Sequence, residues 1–395
     1  MTPDLAAQLT THLQGRKDEM VEVLDRLVQA ESPSGDPALL AVNLDLIGSM
    51  LGDRGYRVRR TRGKRGGGNL LGVPQGRRHG IPVQLLVGHC DTVWPVGTAK
   101  KMDAGVRNGA YYGPGAFDMK AGLVQGLFAL SALGAIGVQP FVTPVVFVDT
   151  DEETGSEEAE NHLRLLARAA DRVWVLEPAL GTSGKLKTQR KGGGDFLVTV
   201  RGKPAHAGLD PEKGASAILA LAGMISRLHA LSDLPNGISV NVGTVRAGTR
   251  PNVVAAEAVA EVDFRALTAD DLRTLAQEIR EVQPDVAGTS ANYDGGIKHW
   301  PLERNEQVQR LWALAQQASE SLGLTIEEGM SGGASDGNTT ARFAPTLDGL
   351  GPVGDGAHAE HEHVIVDRMP ERAALLAMLL VAPPLGAQDS ATPAT

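Results

Sequence analysis

The sequence predicts an α/β catalytic domain interrupted by an α+β insertion, and three observations carry that reading. Three short apolar runs, Val83 to Val87, Val142 to Val148 and Val173 to Leu176, are rich in β-branched residues and bounded by turn formers, as buried parallel strands are. Helical periodicity lies between them, clearest over Ala121 to Leu133, so a mixed, largely parallel sheet flanked by helices is expected. From Lys191 the pattern changes to period-two alternation with two helices, which reads as a second, inserted domain. At 395 residues the chain exceeds the usual reach of one hydrophobic core, so two domains are expected on length alone.

Taken in order, the opening stretch reads as helix, with Leu5, Leu9, Leu13, Met20, Leu24 and Leu27 at helical spacing. Ser34-Gly35-Asp36-Pro37 breaks it and starts another helix, striped by Leu40, Leu44, Ile47 and Leu51. The basic, glycine-rich stretch Arg59 to Gly68 reads as a solvated turn between two strands rather than a phosphate or nucleic-acid patch. In the insertion, a strand through Phe196, Val198 and Val200 ends near Pro204 and a helix runs from Ala215 to Leu231. Strands follow around Ile238 to Val245 and Ala255 to Phe264, then a helix from Asp270 to Val282 and a strand near Tyr293 to Ile297. After Glu303 helical spacing resumes at Val308, Leu311, Leu314 and Ala318, and a last helix covers Arg368 to Leu380. The expected boundaries are 1–190 and 303–383 for the catalytic domain, 191–302 for the insertion and 384–395 for a flexible tail.

Composition excludes several classes. Hydrophobic content of 42% with 22% charged residues places the chain among ordinary globular proteins, and a net charge of −9 argues against a nucleic-acid partner. A single cysteine, Cys90, excludes an internal disulfide and fits a reducing, cytoplasmic setting. The amino-terminal residues lack a secretory pattern, and no apolar run reads as long enough to cross a bilayer, so no membrane partner is expected.

Five separated stretches carry the chemistry: Gly88-His89-Cys90-Asp91, Gly113-Pro114-Gly115 leading to Asp118, Asp151-Glu152-Glu153, Leu176-Glu177-Pro178, and Gly356-Ala357-His358. Three of them close the three apolar runs, where an open α/β sheet gathers its ligands. Histidine nitrogens and carboxylate oxygens together suit zinc or a similar divalent ion. His89 and Asp91, two apart, share a face, so one can ligate while the other fixes its ring; a satisfied buried histidine is the plainer alternative. Cys90 points the other way, into packing. Asp118 is placed either to bridge two cations or to cap the following helix. Adjacent carboxylates at 151–153 repel unless cations neutralise them, and one can stay free as a general base; an acidic surface turn is the alternative.

These motifs resemble the co-catalytic zinc family of glutamate carboxypeptidase (carboxypeptidase G type), aminoacylase, acetylornithine deacetylase and succinyl-diaminopimelate desuccinylase. The similarity spans about residue 20 to about residue 382. Gly88 through Thr98, with Trp94-Pro95-Val96-Gly97, and Gly332-Gly333-Ala334-Ser335-Asp336-Gly337 are most like the glutamate carboxypeptidase branch. The resemblance implies a zinc-peptidase-like catalytic domain and a ferredoxin-like insertion that serves as a dimerisation or lid domain. It implies two Zn²⁺, replaceable by Co²⁺ or Mn²⁺, with Asp118 bridging, His89 and Glu177 completing one site, and Glu153 and His358 the other. Glu152 becomes the general base, Asp91 the residue that orients His89, and the Asp118–Met119 peptide is expected to be cis. His206, in Gly202-Lys203-Pro204-Ala205-His206, matches a histidine that reaches across a homodimer to polarise the substrate carbonyl. Asn252 and Arg265 match contacts to a substrate carboxylate, for which an arginine fork is suited. Lys185 and Lys298 align with bases that read an acidic side chain, and Gly333 lies in the substrate-side glycine motif. His361 and His363 compete with His358, whose spacing to Glu362 fits better.

The expected activity is therefore hydrolysis of an amide to a C-terminal amino acid, glutamate first, on a small peptide or N-acyl amino acid. An N-acyl amino acid deacylase is the alternative within the enzyme class, and a non-catalytic binding relative is the alternative outside it.

Overall fold

The three apolar runs form the parallel centre of a six-stranded sheet. Across the sheet the strands run Tyr56–Arg60, Leu70–Pro74, Thr143–Asp149, Val83–His89, Ala170–Val175 and Thr346–Leu347. Val83–His89 pairs in parallel with both neighbours, His89 opposite Asp149 and Val87 opposite Val175, while the first two strands are antiparallel. Side chains alternate between two cores: Leu85, Val87, Val145 and Phe147 on one face, Leu86, Val146, Val148 and Trp174 on the other. This computed structural model describes residues 2–64, 66–77 and 80–387.

Helix Ala121–Ala135 is buried on nearly every side and packs in one core with the equally apolar Met369–Leu380. Gly122 is what lets it approach the sheet, because a Cβ there would sit 2.0 Å from the Leu176 carbonyl oxygen. Together with the turn before it, Ala116–Ala135 does have the length and hydropathy of a bilayer span, contrary to the expectation from sequence. Since 83% of that window is buried inside the fold, it is a core helix.

The opening stretch is two helices rather than one, Pro3–Gln14 and Lys17–Gln29, with the break at Arg16, which leaves helical geometry (φ −111°, ψ 10°) and bonds its N–H to the Leu13 carbonyl. Pro37–Gly52 starts where expected, with Asp36 accepting from the N–H groups of Ala38 and Leu39. The glycine-rich loop does join two antiparallel strands, and Glu158 accepts from the backbone N–H groups of Lys64 and Gly66 within it. Of the tail, Leu385 is buried in the main core with its N–H on Asp171, so residues 384–387 do not behave as free chain. Residues 388–395 lie outside the described residues.

One feature left no trace in the periodicity. Strands Gly354–Asp355, His363–Ile365, Ala110–Tyr112 and Gly105–Arg107 form a small antiparallel sheet. It sets the loop of His358 beside the turn that begins at Gly113.

The chain divides into two compact units, the second being Gln189–Glu303 with Ser331–Ala334. Its strands Gly192–Arg201, Ser239–Ala247, Glu257–Ala266 and Ser290–His299 alternate with helices Ala217–His229 and Ala269–Glu281 in the order βαββαβ. The sheet is wholly antiparallel, with the second strand at one edge, then the third, first and fourth. This is a ferredoxin-like arrangement. Its core holds Phe196 stacked on Phe264, with Leu221, Met224, Leu272 and Ile279 supplied by the helices.

Candidate metal centre

His89 ends the central strand and is 1% exposed, its ring held at the carboxyl edge of the main sheet. Its Nδ1 lies 3.0 Å from the Asp91 carbonyl oxygen and 3.4 Å from the Asp91 carboxylate. Asp91 is in turn fixed by Ser34 Oγ and the Glu153 N–H, both donating to its Oδ2. With Nδ1 engaged, Nε2 points into a cluster of oxygens: Glu177 Oε1 at 3.3 Å, Asp118 Oδ1 at 3.4 Å and Glu152 Oε2 at 4.0 Å. On the other side, His358 Nε2 lies 3.1 Å from Glu153 Oε2 and 3.6 Å from Asp118 Oδ2. Asp118 thus gives one oxygen to each histidine.

Local structure accounts for each placement. The Asp118–Met119 peptide is cis, as the resemblance implied. Lys120 occupies the N-cap position of the following helix, which makes no side-chain cap bond, so the capping alternative for Asp118 does not hold. His358 sits at φ +60°, in a turn closed by the Ala359 N–H on the Gly356 carbonyl. His363 is engaged elsewhere, stacked on Tyr112 at 5.1 Å, and His361 is exposed. Cys90 is fully buried in packing, where desolvation pushes its thiol up to about 12; the thiol has no part in this centre.

The electrostatics describe a site that demands positive charge. Burial pushes the carboxyls of Glu152 and Glu153 above the usual range, against the pull of the two histidines. Burial also opposes ionisation of Asp118, yet the facing His89 ring and the charges of Lys187 and His358 hold its pKa below the ordinary value. For His89, desolvation is overcome by Asp118, Asp91 and Glu177, which raise it well above an ordinary imidazole. His358 is pushed up to about 9, chiefly by Glu153. Two buried atoms aimed inward, His89 Nε2 and Glu153 Oε1, make no hydrogen bond among the described residues. Ligand atoms of His89, Asp118 and Glu153, and those of His89, Glu152 and Glu177, lie within 4.8 Å of one another. Nitrogen and oxygen donors at such separations fit divalent cations, which would replace the protons the cluster otherwise takes up.

The remaining expected residues are placed as follows. In the second unit, His206 is exposed and bridges to Val253, next to Asn252, whose carbonyl accepts from the Ala207 N–H. The N–H groups of Gly208 and Leu209 both donate to His206 Nδ1, so the neutral ring carries its proton on Nε2. Arg265 donates to Asp263 and to the Gly332 carbonyl, and lines a cavity of about 280 Å³ with Lys191, Lys298, His299 and the two carboxylates Asp195 and Asp263. Gly333 accepts from Arg190 in the same unit. Lys298 is ion-paired with Asp195 and Lys185, in the first unit, with Glu327. Neither lysine was expected to be so paired.

Sequence reasoning missed two buried acids. Asp336, inside the glycine motif, accepts from Ser156 Oγ at 2.7 Å and ties that motif to the acidic turn. Glu362 accepts four N–H donors; burial outweighs their pull and pushes its carboxyl up to about 7. Its spacing from His358 was the available signal.

A parallel-centred sheet with a two-histidine, multi-carboxylate cluster at its carboxyl edge, carrying a ferredoxin-like insertion, defines a metal-dependent hydrolase. The chain belongs to peptidase family M20/M25/M40, whose description matches residues 85–382. Carboxypeptidase G2 of a Pseudomonas species is 28% identical over 371 residues, covering 92% of this chain and 88% of the relative. Succinyl-diaminopimelate desuccinylase of Dechloromonas aromatica is 26% identical over 320 residues, covering 76% and 83%. Among solved structures, aminopeptidase PepT from Bacillus cereus aligns with a TM-score of 0.81 at 23% identity, over 92% of this chain and 98% of that one. The Bacillus subtilis YXEP protein, a dinuclear metal-binding peptidase of the M20 family, aligns at 0.72 and 15% identity, over 93% and 98%.

Proposed function

We propose that this protein is a dinuclear zinc hydrolase that cleaves the amide between an acyl or peptidyl group and a C-terminal amino acid, glutamate first. The observation that carries the reading is Asp118, with one oxygen toward His89 and the other toward His358. In this assignment Asp118 would be shared by two cations, His89 and Glu177 would complete one site, and Glu153 and His358 the other. Co²⁺ or Mn²⁺ can substitute for Zn²⁺. Asp91 orients His89 through Nδ1. Cations held there supply Lewis acidity toward a carbonyl oxygen and lower the pKa of a nearby water.

Glu152 is the general base rather than a ligand. It takes the proton from the attacking water and returns it to the leaving nitrogen, from a position 4.0 Å from His89 Nε2. His206, with its proton on Nε2, supplies a hydrogen bond to the developing oxyanion, offered from a second subunit of a homodimer formed through the insertion. Asn252 and Arg265 serve the substrate carboxylate, and Gly333 belongs to the substrate-binding side. Similarity to carboxypeptidase G2 supports glutamate as the leaving amino acid. A reducing, cytoplasmic setting suits the lone buried thiol.

One observation favours the second reading, an N-acyl amino acid deacylase. Lys185 and Lys298 each already hold a carboxylate of this chain, which weakens them as readers of an acidic side chain. A non-catalytic binding relative is disfavoured because every ligand and the base are retained.

The test is a substrate panel with zinc supplied: an acyl-glutamate, a folate-type glutamate conjugate, an acyl-ornithine and an apolar N-acetyl amino acid. Turnover of the glutamate conjugates, lost in Glu152→Ala, supports the first reading. Turnover of only the others moves the protein to the deacylases.

A further inference from the structure

We propose that Glu362 is a positioning residue that locks the turn carrying Asp118 to the turn carrying His358, and so sets the affinity of the cation pair. The inference rests on the reading of Asp118 and His358 as ligands. Glu362 is fully buried, and each of its oxygens takes two donors. Oε2 accepts from Trp94 Nε1 at 2.7 Å and the Gly115 N–H at 2.9 Å; Oε1 accepts from the Phe117 N–H at 2.9 Å and the Asp118 N–H at 3.0 Å. A carboxylate offers about four acceptor positions, and these donors fill them.

The backbone of Glu362 works in the same direction. Its N–H closes the turn after His358 on the Ala359 carbonyl at 2.9 Å, and its own carbonyl accepts from the Gly113 N–H. One residue thereby joins three segments far apart in sequence: the loop after His89, the turn before Asp118, and the turn after His358. Asp118 and His358 come from loops, and this junction adds to the small sheet in fixing their separation. Glu362 itself holds neither cation nor substrate in this assignment. Its removal should therefore weaken metal binding, as loss of a residue that orients ligands does, rather than alter the groups that perform the chemistry.

Glutamine is the informative replacement. It keeps the shape, but its amide nitrogen turns two N–H groups toward two backbone or indole donors. The experiment is zinc titration of the metal-depleted full chain against a chromophoric chelator, comparing wild type, Glu362→Gln and Trp94→Phe. Glu362→Gln should weaken uptake of at least one zinc about 10–100-fold, and Trp94→Phe, which removes one donor, should weaken it less in the same direction. A merely structural role would lower the thermal midpoint of the metal-free chain and leave zinc affinity of the folded protein unchanged. Wild-type affinity for both zincs in folded Glu362→Gln overturns the proposal. Should that variant fail to fold, unchanged affinity in Trp94→Phe overturns it. Wild type that takes up no zinc is a different failure, overturning the reading of the centre itself.

Discussion

Asp118 divides its two oxygens between two histidines that are far apart in sequence, and the roles proposed for the surrounding residues depend on that division. At this scale the sequence was informative wherever a residue's chemistry was unusual for its place. His89 and Glu177 end apolar strands, and Glu152 and Glu153 crowd together where carboxylates repel. Glu362 and Asp336 were less legible because their partners, indole and backbone N–H groups for Glu362 and the Ser156 hydroxyl for Asp336, come from segments distant in sequence. Two predictions belong here. Glu152→Gln should lower kcat by about 10²–10⁴-fold, the usual contribution of a general base, while zinc content measured on the same sample stays at the wild-type level. Loss of zinc along with activity would make Glu152 a ligand instead. Thiol reagents should leave the native enzyme active, because Cys90 is fully buried, and should label it after denaturation; stoichiometric labelling of the active enzyme would contradict this.

The elements most clearly written in the sequence are the long ones. The three central strands, the helix after Asp118 and the βαββαβ order of the second unit follow from periodicity and turn residues. The small sheet that places His358 was invisible, since its strands are two or three residues long and hold no alternation to read. The division of the opening helix at Arg16 was missed for a related reason, namely that the apolar stripe keeps its spacing across the break. Helix Ala121–Ala135 carries a testable contact. Gly122→Ala would drive a methyl group into the Leu176 carbonyl, one residue before Glu177, so it should destabilise the protein by about 1–3 kcal/mol. Denaturant melts should show that loss together with reduced activity. An Asp36→Ala variant, by contrast, should lose about 1 kcal/mol through its missing helix cap and keep its kcat.

For the whole molecule, the centre lies in the first unit and His206 in the second, and the proposal assigns His206 to a partner subunit. If His206 acts from a partner subunit, mixing inactive Glu152→Gln and His206→Ala chains under conditions of subunit exchange should restore activity, because one hybrid site then contains both intact residues. Persistent inactivity with exchange demonstrated would remove that role. Cations that bind only the folded chain also stabilise it, by about 3–4 kcal/mol at a hundred to a thousand times their Kd. Chelation should therefore lower the thermal midpoint, and readdition of zinc should restore it. The most direct test of the central claim is anomalous diffraction at the zinc edge from crystals grown with zinc. The account predicts two peaks, one on each side of the Asp118 carboxylate, with His89 and Glu177 beside one and Glu153 and His358 beside the other. A single peak, or two that do not share Asp118, would contradict it.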